Sequence, residues 1–138
     1  MESKIGEAKV ISLKKPKSTL VIVRRESSEK EYYCGYVLLK KKDFDLIKAL
    51  ERKSKGYPYD FFKTDIEITF FEKLHNVDTV SNQMPQEHRD KLSKKFHGMI
   101  GFHFDYDWAN INMQNFDYTK SHCEELAKEI NGLFKRLE

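Results

Sequence analysis

Three runs of strand-forming residues stand within the first 39 positions, and the short polar spacers between them leave one simple arrangement. Residues 8–13 alternate weakly, residues 19–25 are β-branched, and residues 31–39 are rich in Tyr, Val and Leu. Lys14-Lys15-Pro16-Lys17-Ser18 separates the first two runs, and Glu26-Ser27-Ser28-Glu29-Lys30 separates the next two. Spacers of this kind suit hairpin loops, so the opening third predicts an antiparallel meander.

Downstream, Asp43 is placed to cap a helix over 44–53, with Leu46, Ile47 and Leu50 on one face and Gly56 as its stop. Tyr57-Pro58-Tyr59-Asp60 then breaks the chain. A fourth strand is expected over 65–71, where Ile66, Ile68 and Phe70 alternate with Glu67 and Thr69, giving one core face and one wet face. The stretch 74–95 lacks strong periodicity and carries Asn76, Asp78, Ser81, Asn82 and Pro85, which favour turns. Within it, 85–94 suits a short helix with proline in its first turn.

An aromatic strand over 99–106 follows, then a polar connection through Asn110, Asn112, Gln114 and Asn115. Ser121 and Glu124 fit a capping box for a closing helix, and Cys123, Leu126, Ala127, Ile130, Phe134 and Leu137 recur at helical spacing. The expected fold class is α+β: a mostly antiparallel sheet of about five strands, with helices packed on one face, including a C-terminal helix. At 138 residues the chain is read as a single globular domain, 1–138. Its 10 Phe, 7 Tyr and 1 Trp supply the burial that sparse aliphatics do not.

No apolar run approaches the roughly 20 residues of a membrane helix, and Met1-Glu2-Ser3-Lys4 lacks the apolar stretch of a secretory signal. A cytoplasmic monomer or small homo-oligomer is expected, with no membrane partner. Cys34 and Cys123, far apart and without a CxxC pairing, fit reduced thiols. The net charge of +3 is the remainder of 25 bases and 22 acids, below the excess usual in a dedicated duplex binder. The bases nevertheless cluster: Lys14, Lys15 and Lys17; Arg24 and Arg25; Lys40, Lys41 and Lys42; Arg52, Lys53 and Lys55; Lys91, Lys94 and Lys95. Each cluster follows or ends a predicted element, which suits a solvated surface as well as a nucleic-acid surface.

The stretch Gly101-Phe102-His103-Phe104-Asp105-Tyr106-Asp107-Trp108 carries the sharpest chemistry. As a strand it sorts His103, Asp105 and Asp107 to one side and Phe102, Phe104 and Tyr106 to the other. Imidazole and carboxylates are ligands for zinc or manganese. The three would span about 13 Å along a regular strand, so one ion would need a bulge, or a further ligand such as His97, His122 or Cys123. The bland alternative is a polar sheet face with a hydrogen-bonded histidine. Asp105 or Asp107 beside His103 would also suit acid–base chemistry. No Gly-rich phosphate loop, Gly-x-Ser-x-Gly elbow or His-Glu-x-x-His helix occurs. His122 and Cys123 are adjacent but point about 100° apart on a helix, which predicts an exposed ring and a core thiol.

Single-strand binding would draw on Tyr32, Tyr33, Tyr36, Tyr57 and Tyr59 among the lysines. Tyr57 and Tyr59 would serve equally as a protein-binding patch. Asp105, Asp107, Asp117, Glu124 and Glu125 could form an acidic surface that meets the basic channel of a nucleic-acid enzyme, or simply a solvated rim.

The order of landmarks resembles a group of small uncharacterised phage-encoded proteins. Their skeleton runs Cys-Gly-Tyr-Val, His-Gly-Gly-x-Thr-Tyr, Gly-Phe-Asp-x-x-His-x-x-Asp and a helix with Leu-Ala. Here Cys34-Gly35-Tyr36-Val37 stands for the first element and Asp65-Ile66-Glu67-Ile68-Thr69-Phe70 occupies the second place. Ile100-Gly101-Phe102-His103-Phe104-Asp105-Tyr106-Asp107 stands for the third and Leu126-Ala127 for the last. The resemblance implies a phage or mobile-element accessory protein, a class that includes anti-CRISPR and other anti-defence inhibitors.

The leading expectation is therefore stoichiometric binding to a host protein, such as a defence nuclease, without catalysis. Asp105, Tyr106, Asp107 and Trp108 would make the contact, with Tyr57 and Tyr59 as a second patch. The alternatives are a metal-binding domain or metal-dependent hydrolase built on His103, Asp105 and Asp107, and a nucleic-acid-binding protein.

Overall fold

The computed structural model describes residues 4–15, 17–26, 31–53, 68, 70–74, 84–103 and 116–137, with the backbone alone at 4–6, 26, 31, 53, 103 and 134–137. Among these, β1 (Lys4–Lys14), β2 (Lys17–Glu26) and β3 (Glu31–Leu39) are followed by α1 (Lys41–Lys53) and β4 (Phe70–Lys73). Then come α2 (Gln86–Leu92), β5 (Gly98–His103) and α3 (Phe116–Leu137). The strands form one five-stranded sheet in the order β1-β2-β3-β5-β4, and every neighbouring pair is antiparallel. This is the α+β architecture expected from the periodicities.

The meander is longer than its apolar pattern. Lys14 pairs with Lys17, so the strands continue to the turn rather than stopping at 13 and 19. Backbone ladders need no apolar side chains at a strand end, and the lysines there stay in solvent. In β4 the ladder likewise runs past residue 71, pairing Glu72 with Met99 and Lys73 with Gly98. Of the residues expected to extend β4, Ile68 stands outside the strand, and 65–67 and 69 lie outside the described residues, as do 104–106, expected to extend β5.

Two helix starts differ from expectation. The carbonyl of Lys40 accepts from Phe44 N at 2.9 Å, which makes Lys40 the capping position and leaves Asp43 inside the first turn of α1. There a carboxylate still faces the positive end of the helix dipole. Helix α3 begins at Phe116, so Ser121 and Glu124 sit inside it instead of capping it. Burial decides this: Thr119 is fully buried, and Phe116 packs edge-on against Tyr33 of β3 at 6.2 Å, anchoring a turn that the capping pattern does not reveal.

Alternation along the strands buries both faces of the sheet. Leu20, Ile22, Val37, Leu39, Ile100 and Phe102 project to one side, where α1 supplies Phe44 and Ile47 and α3 supplies Cys123, Leu126, Ala127, Ile130 and Leu133. Val21, Val23, Cys34, Tyr36, Leu38 and Met99 project to the other, beneath Leu74, Met84, Leu92 of α2 and Phe96. Burying each large apolar side chain contributes roughly 1.5–3 kcal/mol. Helix α3 approaches β3 most closely at Gly35, where an added Cβ would strike the Cys123 sulfur and come within 3.0 Å of Thr119 Cγ2.

Both cysteines are buried free thiols, and burial pushes the Cys123 thiol far above its usual range. The core-thiol reading of Cys123 therefore holds. Neither cysteine should react with a water-soluble disulfide reagent in the native state, and both should react on unfolding. Immediate native-state titration of either thiol would contradict this burial.

Candidate nucleic-acid interface

Antiparallel pairing brings together basic residues that lie far apart in sequence. Lys14 and Lys17 close β1 and β2; Leu39 closes β3 and pairs with Gly98, the first residue of β5; Gly98 also pairs with Lys73, the last of β4. One end of the sheet thus carries Lys14, Lys15 and Lys17, then Lys40, Lys41 and Lys42 at the start of α1, and then Lys73. Lys95 and His97 approach the same end from the turn after α2, and all of these lysines are exposed. Five strands at about 4.8 Å make this edge about 20 Å wide. That is the length of roughly six nucleotides at the ~3.4 Å stacked rise of one strand in a duplex, and of fewer in an extended strand.

The end is rigidly supported from beneath. His97 N donates to Leu39 O at 2.8 Å, and Leu74 N donates to His97 O at 3.0 Å, which ties the strand ends together. Phe44 stacks on Phe71 at 4.6 Å and meets the His97 ring edge-on at 5.0 Å. Lys48 lies 5.6 Å over Phe71.

Among the described residues, Asp43 and Asp45 of α1 stand beside this charge. Lys41 donates to Asp45 at 2.7 Å, and that hydrogen bond holds the exposed Asp45 carboxyl below its usual range. Asp43 is half-buried, and loss of hydration raises its carboxyl above the usual range against the opposing pull of Lys42 and Lys40. Ionised Asp43 therefore opposes folding. The penalty is full above the raised folded value and disappears as pH falls through that value to the ordinary carboxylate value of the unfolded chain. Asp43→Asn should accordingly raise the thermal midpoint at pH 7, with a gain that shrinks toward pH 4. A gain equal at both pH values would contradict the assignment.

Beside these residues the sheet forks. The β2–β3 ladder ends at Leu20 and Val37, yet β2 continues against β1 to Lys17 and β3 continues against β5 to Leu39. A pocket of about 230 Å³ opens there between the strand ends, the first turn of α1 and the Ala127-to-Asn131 segment of α3. Val37, Leu39, Phe96, Ala127 and Ile130 give it apolar walls, and Lys17, Lys40, Ser18, Asp43 and Asn131 are its polar lining.

The other expected sites fare differently. Asp105, Tyr106, Asp107 and Trp108 lie outside the described residues, as do Tyr57 and Tyr59. His103 pairs through its backbone with Cys34, and the neighbouring side chains Cys34 and Tyr36 are buried. His97 stands at the opposite end of β5, about 20 Å away along a regular strand, so it cannot join His103 on one ion. The His122 ring is 11% exposed rather than open, because Tyr118 packs on it at 4.5 Å and Phe102 meets it at 6.4 Å. Its Nδ1 is 3.4 Å from a Glu125 carboxylate oxygen. Among the described residues no three His, Cys, Asp or Glu side chains gather as a metal site.

Of the expected acidic surface, Asp117, Glu124 and Glu125 all lie on α3, where Glu124 is 3.9 Å from Lys120. Of the basic clusters, Arg24 and Arg25 lie toward the far end of β2, and Arg52 lies at the far end of α1. Lys91 is 3.7 Å from Glu87. No helix among the described residues is long and apolar enough to cross a membrane. No family model, curated protein or solved structure matches the chain.

Proposed function

We propose that this domain binds single-stranded nucleic acid, holding its phosphates along the lysine-rich end of the sheet. The observation that carries this reading is the convergence of Lys14, Lys15, Lys17, Lys40, Lys41, Lys42, Lys73 and Lys95 on one edge through strand pairing. Exposed ammonium groups on a fixed scaffold replace the counterions of a phosphate backbone, and release of those ions drives association. The narrow edge and the modest net charge of +3 favour one flexible strand over a duplex.

Fluorescence anisotropy with a labelled oligothymidylate tests it: binding should be tight at low salt and weaken steeply as salt rises. The other two readings predict different behaviour. A phage-type stoichiometric inhibitor of a host protein, acting through Asp105, Tyr106, Asp107 and Trp108 with Tyr57 and Tyr59, would lose its protein partner on Trp108→Ala and bind the oligonucleotide no better than a neutral surface does. A metal-dependent domain built on His103, Asp105 and Asp107 would carry zinc or manganese that His103→Ala releases.

A further inference from the structure

We infer that the fork between β2 and β3 is a nucleobase pocket, which receives one unstacked base of the strand whose phosphates lie on the surrounding lysines. This inference rests on the proposed phosphate-binding edge. Three observations converge on it. The pocket opens beside the phosphate-holding lysines, and Lys17 and Lys40 belong to both its lining and the basic edge. Its volume of about 230 Å³ lies below the roughly 300–1,000 Å³ of drug-sized sites, which suits one heterocyclic ring system. Its lining pairs apolar residues, the aromatic Phe96 among them, with the polar Asn131 and Asp43.

That combination matches a base, which is an aromatic ring with hydrogen-bonding edges. Single-strand readers hold bases by stacking on aromatic faces and bonding their exposed edges. Asn131 offers both a donor and an acceptor. Asp43, also in the lining, offers carboxylate oxygens that accept from the ring N–H or exocyclic amine of a base.

The test compares oligothymidylate, an abasic oligomer of equal length, and inorganic polyphosphate, each against the full chain. The normal oligomer should bind about tenfold more tightly than the other two, the range expected for one stacked base. Asn131 is exposed on α3, so Asn131→Trp should cover the mouth without disturbing the core, and Ser18→Phe should do so from β2. Either variant, checked for native circular dichroism, should bring oligothymidylate down to the abasic affinity while leaving the salt dependence unchanged. Equal binding of normal and abasic oligomers, or a base preference that survives both variants, would overturn the pocket assignment and leave the lysine edge standing. Failure of all three polyanions to bind would overturn the phosphate-binding reading and this inference with it.

Discussion

Gly101→Ala should unfold the domain or cost it about 3 kcal/mol or more, the upper end of the overpacking range. An added Cβ at Gly101 would strike the backbone carbonyl oxygen of Gly35 in β3 and stand 2.6 Å from Tyr36 Cδ1. A flexible side chain could swing aside, but the carbonyl cannot. It belongs to a strand held between β2 and β5 in the middle of the sheet. Tyr36 is itself fully buried and packs edge-on against Phe70 at 5.6 Å, so its ring has little room to retreat. A loss of this size takes a large share of the 5–15 kcal/mol that holds a typical domain folded. Gly132→Ala provides the contrast: nothing lies within 4 Å of its Cβ position in α3, so the substitution should stabilise by about 0.5–1 kcal/mol. Urea denaturation followed by circular dichroism measures both. A Gly101→Ala protein as stable as the parent would refute the β3–β5 packing.

Reversing charge at the lysine end should have the largest effect on binding. Lys17→Glu, Lys40→Glu and Lys42→Glu together replace three cations with three anions along one edge, and all three positions are exposed. Oligothymidylate affinity should fall on the order of 100-fold or more at low salt, since each lost phosphate contact also becomes a repulsion. The fold should be little affected, because exposed substitutions usually change stability by about 0.5 kcal/mol or less each. Arg52→Glu at the far end of α1 makes a matched control, about 16 Å along the helix from its first residue, Lys41. Its effect should stay within about threefold, as expected for one charge beyond the screening length. Equal losses from the triple variant and the control would mean that binding follows net charge rather than this edge.

Much of the fold was legible because local periodicity and burial agree. The β-branched residues 19–25 and the aromatic residues 31–39 are central strands, and Cys123, Leu126, Ala127 and Ile130 form the buried stripe of α3 as spaced. Helix starts were less legible. Nothing local in Phe116 announces a helix, because its anchoring partner, Tyr33, is more than 80 positions away.

The lysine edge was hidden for a similar reason. Its clusters read as ordinary solvated ends of separate elements until strand order set Lys17, Lys40 and Lys73 at the same end of one sheet. Phe96 and Asn131 carried no signal of their own; a fork in a ladder is a property of pairing, not of composition. By contrast, Asp105, Asp107 and Trp108 stood out in the sequence by residue type alone, and they lie outside the described residues.

The most direct test of the central claim is the salt dependence of oligothymidylate binding by the parent chain and by the Lys17→Ala, Lys40→Ala, Lys42→Ala triple variant. Each phosphate contact to a single strand contributes about −0.7 to the slope of log K against log salt, so removing three should flatten the slope by about 2. A steep parent slope reduced by that amount is the predicted result. A parent slope near zero, or a steep slope that the three substitutions leave unchanged, would contradict it.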